Sequence, residues 1–312
     1  MGRIPSHTAV AMEEVMIHSL QRTWRNESLV NEAAAFIRYK REEGFSFSAL
    51  TYLHSEMFFN PTELTSLHSS AAVEVLILAL DIFDDLQDQD TRDKPWTQSP
   101  YASTMNIATG LLMLSMNILH KAPVEENIKE RSLSLLHQQV LKAVQGQHQD
   151  LAADVQSEDG YLQMVKEKSG SLMACASLLG AVSATKKQFE IIKRYSEYLG
   201  IAAQLNNDLH DVLRVDEKND LLHKKKTLPI LYLLQEKEPQ AQWIRDYYRG
   251  TITKEMLLEK KNQLFQWLEN SSSLKYTKVV KRLYQLKAVQ LADDLEAENE
   301  WKAKLRSVLE DT

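Results

Sequence analysis

The sequence predicts an all-α fold, a single-domain bundle of about ten or more helices around a central cavity. Two observations carry this. First, only nine glycines and seven prolines occur in 312 residues, well under half of the roughly 12% share of average chains. A β-sandwich, barrel or propeller needs a turn about every ten residues and does not fit. The Gly-rich phosphate loops that open Rossmann and P-loop domains are missing as well. Second, apolar residues recur with helical spacing along nearly the whole chain. Their 44% share against 26% charged residues excludes collagenous and disordered chains.

The elements follow from the breaks between them. Helices are expected over 8–22 and 28–43. Pro61 opens the next, 62–89, and Pro95 and Pro100 separate it from 101–120. Pro123 precedes 125–153. Gly160 marks the start of 159–185. A helix over 187–215 runs into the irregular segment 216–226, and 227–236, 238–248 and 253–269 follow. The last, 274–310, has an apolar stripe through Leu283, Leu286, Val289 and Leu291 and reads as an amphipathic closing helix. Its Asp293-Asp294 pair reads as a solvated face. No repeat and no Gly/Ser-rich linker divides residues 1–312, so one domain is expected.

Net charge is −6, without the basic surplus of a nucleic-acid binder. The lone cysteine, Cys175, excludes an internal disulfide and a Cys-rich zinc site. The N-terminus shows no apolar signal core. The apolar stretch 169–185 carries four serines and two glycines and reads as a buried helix rather than a membrane span. A cytoplasmic protein is expected, compatible with peripheral association at a membrane.

Two helices turn acidic where they should stay apolar. In the first, Asp81, Asp84, Asp85 and Asp88 follow the i, i+3, i+4, i+7 rule and share one face with Glu74, Ile77 and Leu78. In the second, Gln204, Asn207, Asp208 and Asp211 have the same spacing. Each cluster falls late in its helix, where the macrodipole disfavours carboxylates. Such carboxylates repel unless a cation joins them. One acidic helix end is ordinarily a solvated face. Two, each after a strongly apolar run, point to a site. The donors are hard oxygens without Cys or paired His, which suits Mg²⁺ and a substrate phosphate. Arg92 and Lys94 follow the first stripe, Lys218 and Lys224-Lys225-Lys226 the second. They offer what the outer oxygens of a diphosphate need. The residues thus describe a helical cup that grips a diphosphate and releases it as a leaving group.

With these motifs the chain resembles the trans-isoprenyl diphosphate synthase family over nearly its whole length. Asp84-Asp85-Leu-Gln-Asp88 is similar to its first aspartate-rich motif, DDxxD. Gln204-x-x-Asn207-Asp208-x-x-Asp211 is similar to its second, with Asn for the first Asp. Gly146-Gln147, Lys168-Ser169 and the segment from Asp220 through Lys225 to Pro229 resemble further family elements in the right order. The resemblance implies Mg²⁺, three ions in count, held by Asp84, Asp85, Asp88, Asn207, Asp208 and Asp211. It implies diphosphate binding by Arg92, Lys168, Gln204, Lys218 and Lys225. Asp84, Asp85, Lys168 and Asp208 are the expected catalytic residues. Val73, Leu76, Ile77, Ala79 and Leu80 are the expected prenyl pocket, although plain core is an equal reading of these five. Ala79 is small where the family limits chain length by bulk. A homodimer is also implied.

The departures are more telling. The family holds isopentenyl diphosphate with an N-terminal Gly-Lys-Arg-x-Arg-Pro element. Here the aligned segment is Gly44-Phe45-Ser46-Phe47-Ser48-Ala49, without a cation. A family His is replaced by Ile77, and Arg-Arg-Gly by Thr91-Arg92-Asp93. The pattern resembles the ComQ-type prenyltransferases. These transfer a geranyl or farnesyl group to a tryptophan of a peptide pheromone precursor in competence quorum sensing. The expected function is therefore Mg²⁺-dependent transfer from an allylic prenyl diphosphate to a Trp-containing peptide. The alternatives are chain elongation with isopentenyl diphosphate, a class I terpene synthase and a silent regulatory subunit. Asp211 and Val215 break the terpene synthase's Asn-Asp-x-x-Ser/Thr-x-x-x-Glu pattern. A silent subunit tends to lose one aspartate motif, and this chain keeps both.

Overall fold

The computed structural model describes residues 5–58, 63–88, 93–214 and 219–311. All regular structure among them is helical. In chain order the helices are α1 (Ser6–Thr23), α2 (Glu27–Glu43), α3 (Ser46–Phe58), α4 (Glu63–Asp88), α5 (Pro95–Gln98), α6 (Tyr101–His120), α7 (Glu126–Leu151) and α8 (Glu158–Val165). A π-helical turn, Lys166–Gly170, leads into α9 (Ser171–Gly180). Then come α10 (Lys186–Asp211), α11 (Leu228–Leu233), α12 (Pro239–Tyr248), α13 (Lys254–Leu258), α14 (Lys261–Asn270), α15 (Ser272–Asp293) and α16 (Asn299–Glu310).

Helix α4 is the axis of the bundle. Its Ala71–Ala79 run is buried on every side and packs against α3, α6, α1 and α9. Helix α10 packs on α9 and α15. The main core gathers residues of α1 to α7, α9, α10, α15 and α16. A second apolar cluster joins Leu209 and Val212 to Leu221, Ile230, Ile244, Leu257, Leu264 and Leu268. That cluster anchors the short helices α11 to α14 beside the end of α10. Local chemistry sets several boundaries. The side chains of Asn26, Ser157, Thr185 and Ser271 cap α2, α8, α10 and α15. Gly44 closes α2 with φ +103°, a conformation that favours glycine.

The structure corrects several expected boundaries. Residues 46–58, left without an element by periodicity, form α3. The segment is rich in Phe, Ser, Thr, Tyr and His, which are indifferent helix formers. Burial between α4 and α9 makes it helical. The expected helix 159–185 is interrupted by the π turn and ends at Gly180. The stretches 253–269 and 274–310 each divide into two helices. In α15, Val289 faces the core, but Leu283 and Leu286 lie on the exposed side, so the expected stripe is not one inward face. Two segments, Thr65–Asp88 and Tyr101–His120, are long and apolar enough to cross a membrane. They are α4 and α6, which pack on each other inside the bundle.

Candidate active site

The two acidic stripes meet across one cavity of about 300 Å³. Helix α4 reaches it because its apolar run fixes the helix in the core, so its last two turns emerge at the cavity with Asp81, Asp84, Asp85 and Asp88. Helix α10 does the same. Ile201, Ala202, Leu205 and Leu209 are buried, and Gln204, Asn207, Asp208 and Asp211 line the cavity. Among the described residues nine carboxylates line it, against four lysines, Lys40, Lys94, Lys168 and Lys225.

Those lysines span the carboxylates. Lys168 Nζ lies 2.7 Å from Asp150 and 3.3 Å from Asp84. Lys225 Nζ lies 2.6 Å from Asp88 and 3.8 Å from Asp220, joining the first stripe to the loop after the second. Lys94 Nζ and Trp96 Nε1 donate to one oxygen of Asp85 at 3.0 and 2.8 Å. Lys40 Nζ donates to Asp81 at 2.7 Å. Burial alone would lower Lys168, but Asp84 and Asp150 outweigh it and hold the ammonium charged. Asp208 is almost fully buried. It accepts from Tyr161 Oη, and from Gln204 Nε2 at 2.9 Å, while Gln204 Oε1 accepts from Ser169 at 2.9 Å.

Close backbone approach aims Lys168. A Cβ on Gly146 would come within 2.3 Å of the Lys168 backbone nitrogen, and one on Gly200 within 2.5 Å of the Gly170 Cα. Helices α7 and α10 therefore press directly onto the π turn. The extra residue in such a turn rotates the side chains that follow and recurs at functional sites. Here it brings Lys168 to the cavity and Ser169 to the cavity-lining Gln204.

The donor set fits a hard divalent cation. Burial pushes the carboxyls of Asp208 and Asp220 up to about 7 and about 8. Asp88 is likewise raised by burial and by Asp84. These groups lack enough positive charge around them. Among the described residues no three acidic or imidazole groups form a ready-made cage. Mg²⁺ does not need one, because it takes one or two carboxylates and completes its shell with water and substrate phosphate.

Asp84, Asp85, Asp88, Lys168, Gln204, Asn207, Asp208, Asp211 and Lys225 all line this cavity. Arg92 and Lys218 lie outside the described residues. Val73, Leu76, Ile77 and Ala79 are buried in the main core beneath the stripe, with Leu80 partly buried against it. Sequence reasoning did not single out Lys40, Glu43, Asp150 or Tyr161 as site residues, yet they line the cavity too. No local spacing ties them to the stripes. Asp220 was visible only as the start of a motif.

A sequence profile described as polyprenyl synthetase matches residues 40–266. That span holds both stripes and every described cavity residue. The chain belongs to the polyprenyl synthetase family. It is a prenyltransferase, and this family is generally Mg²⁺-dependent. A curated relative, the tryptophan prenyltransferase ComQ of Bacillus subtilis subsp. natto (strain BEST195), is 32% identical over 275 residues, covering 88% of this chain and 84% of the relative. Among solved structures, the geranylgeranyl pyrophosphate synthetase of Geoglobus acetivorans superposes with a TM-score of 0.81 at 20% identity, covering 98% and 97% of the two chains. The geranylgeranyl pyrophosphate synthase of Corynebacterium glutamicum, complexed with calcium and isoprenyl diphosphate, gives 0.75 at 19% identity, covering 100% and 98%. These two likenesses establish the isoprenyl synthase fold.

Proposed function

We propose that residues 1–312 form one catalytic domain that moves a geranyl or farnesyl group from its diphosphate to a tryptophan of a peptide pheromone precursor. The observation that carries this reading is an asymmetry of the cavity. Two aspartate stripes and two spanning lysines, Lys168 and Lys225, suit one allylic diphosphate. The Gly44–Ala49 segment adds no cation for a second. Similarity to a tryptophan prenyltransferase over 88% of the chain supports the same acceptor.

In this reading Asp84, Asp85, Asp88, Asn207, Asp208 and Asp211 hold the Mg²⁺ ions, three in count. Metal held there would supply positive charge against that developing on a departing diphosphate. Lys168 and Lys225 exchange their carboxylate partners for the outer diphosphate oxygens, with Arg92 and Lys218 as further donors. Tyr161 and Gln204 fix the orientation of Asp208. The allylic C–O bond breaks over the apolar floor of Val73, Leu76, Ile77, Ala79 and Leu80, which cannot quench a carbocation. An indole carbon attacks C1, and the released diphosphate takes the indole proton. The protein acts in the cytoplasm or at a membrane surface as a homodimer.

The decisive assay offers Mg²⁺, an allylic diphosphate of ten, fifteen or twenty carbons, and either isopentenyl diphosphate or a Trp-containing peptide. Mass spectrometry reads the products. A prenylated peptide is expected. Elongated diphosphates, cyclised hydrocarbons or no turnover would each replace this reading with one of its rivals. In the same assay Asp84→Ala should lower turnover by roughly 10²–10³-fold, the scale for losing one element of charge stabilisation. Its circular dichroism should match the wild type.

A further inference from the structure

Where the first stripe begins, the cavity wall is completed by α2 packed beside α4. It presents Lys40 and Glu43 from α2 and Asp81 from α4. Lys40 is nearly buried, and its Nζ sits 2.7 Å from Asp81 and 3.8 Å from Glu43. Behind it, Glu74 is 1% exposed. One Glu74 oxygen accepts from the backbone N–H and the hydroxyl of Ser48, both at 2.8 Å. Among the described residues its other oxygen has no hydrogen-bond partner. Ser48 lies in the first turn of α3, where free backbone N–H groups would otherwise attract an anion. That position is already filled by the protein's own carboxylate. Burial would lower the Lys40 ammonium, but Asp81 and Glu74 outweigh it and keep it charged. The lysine on this wall is therefore surrounded by three acids, and its charge is cancelled.

We propose that Asp81 selects the acceptor: its carboxylate neutralises Lys40, which turns away a second diphosphate, and receives the N–H of an uncharged indole. This rests on the acceptor reading given above and assigns the residues that enforce it. Asp81 has a side chain 37% exposed, so it can accept from a ligand while paired with Lys40. When C1 of the prenyl group bonds to an indole ring carbon and the C1–O bond to diphosphate breaks, the indole becomes cationic and its N–H more acidic. A carboxylate facing that N–H stabilises the developing charge. The proton then passes to the released diphosphate, and Asp81 ends as it began. An incoming diphosphate would meet Asp81 and Glu43 on the cavity wall as like charges.

The test has a transfer arm and a binding arm. In the transfer arm, Asp81→Asn should lower kcat/KM for a Trp-containing peptide at least tenfold. The KM for farnesyl diphosphate should stay within threefold, and Asp81→Glu should recover most of the loss. In the binding arm, isopentenyl diphosphate is titrated calorimetrically into protein preloaded with Mg²⁺ and farnesyl thiodiphosphate. Asp81→Asn should bind it at least tenfold more tightly than the wild type, because Lys40 is freed. Adding Lys40→Gln should abolish that gain, as a coupled pair requires. Asp81→Ser repeats both arms if the amide disturbs folding. Uncharged variants that transfer to peptide like the wild type and gain no isopentenyl diphosphate affinity would overturn the proposal. A gain that survives Lys40→Gln would overturn it too. If the wild type itself elongates isopentenyl diphosphate, the function proposed above fails. If it prenylates peptide but the variants show no switch, only the role of Asp81 fails.

Discussion

At the residue scale, Asp208 and Asp220 are the site's most displaced acids. Burial raises both, to about 7 and about 8. A folded-state pKa above the unfolded value near 4 means that the native protein binds these protons more tightly than the unfolded chain does. Their contribution to stability is therefore most favourable at low pH, and it falls as pH rises from about 4 through about 8. Ligand-free protein should melt at a lower temperature at pH 8.5 than at pH 6.5, and Mg²⁺ with an unreactive diphosphate analogue should remove most of that difference. Thermal melts at the two pH values, with and without these ligands, check this. Binding should also release protons, which calorimetry in buffers of different ionisation enthalpy detects. An unchanged melting temperature across this range would contradict the burial of the two acids.

The π turn is the feature that matters at the scale of elements. It is held by glycine contacts that leave no room for a methyl group, with Gly146 against Lys168 and Gly200 against Gly170. Gly200→Ala places a Cβ against backbone, which cannot move aside as a flexible side chain would. Overpacking of this kind costs about 1–3 kcal/mol. The displaced turn carries Lys168 and Ser169, so turnover should drop further than the stability loss alone explains. Measuring the chemical-denaturation midpoint and kcat at 10 °C, where the variant stays folded, separates the two effects. The same logic explains why α3 escaped the sequence reading. Its residues are weak helix formers in isolation, and its packing on α4 and α9 is long-range.

For the molecule as a whole, the question is how the bundle associates. Met113 on α6 and Leu141 and Val144 on α7 are large apolar side chains left exposed. The homodimer expected from the family would cover surface of this kind. Light scattering should return about twice the chain mass, and Met113→Glu combined with Leu141→Glu should shift it toward the monomer. A wild-type monomer at micromolar concentration would remove the dimer from the reading.

The sequence by itself determined the fold class and grouped most of the acids that line the cavity. A scarcity of turn residues leaves helices, and spacing within one helix fixes which side chains share a face, so Asp84, Asp88, Gln204, Asn207, Asp208 and Asp211 could be grouped from local order. It also showed that the Gly44–Ala49 segment carries no cation. Only the tertiary structure decided what stands across from those faces. Lys40 belongs to α2 and Asp81 to α4, separated by 41 positions, and Lys225 reaches Asp88 across 137. Such pairs exist because α2, α4 and α10 are brought together by core packing. No periodicity within one element encodes that approach. The glycine contacts that aim Lys168, the tie of Asp85 to Trp96, and the Glu74 carboxylate filling the start of α3 have the same origin. Each depends on how closely two backbones approach, which is fixed when the interior closes.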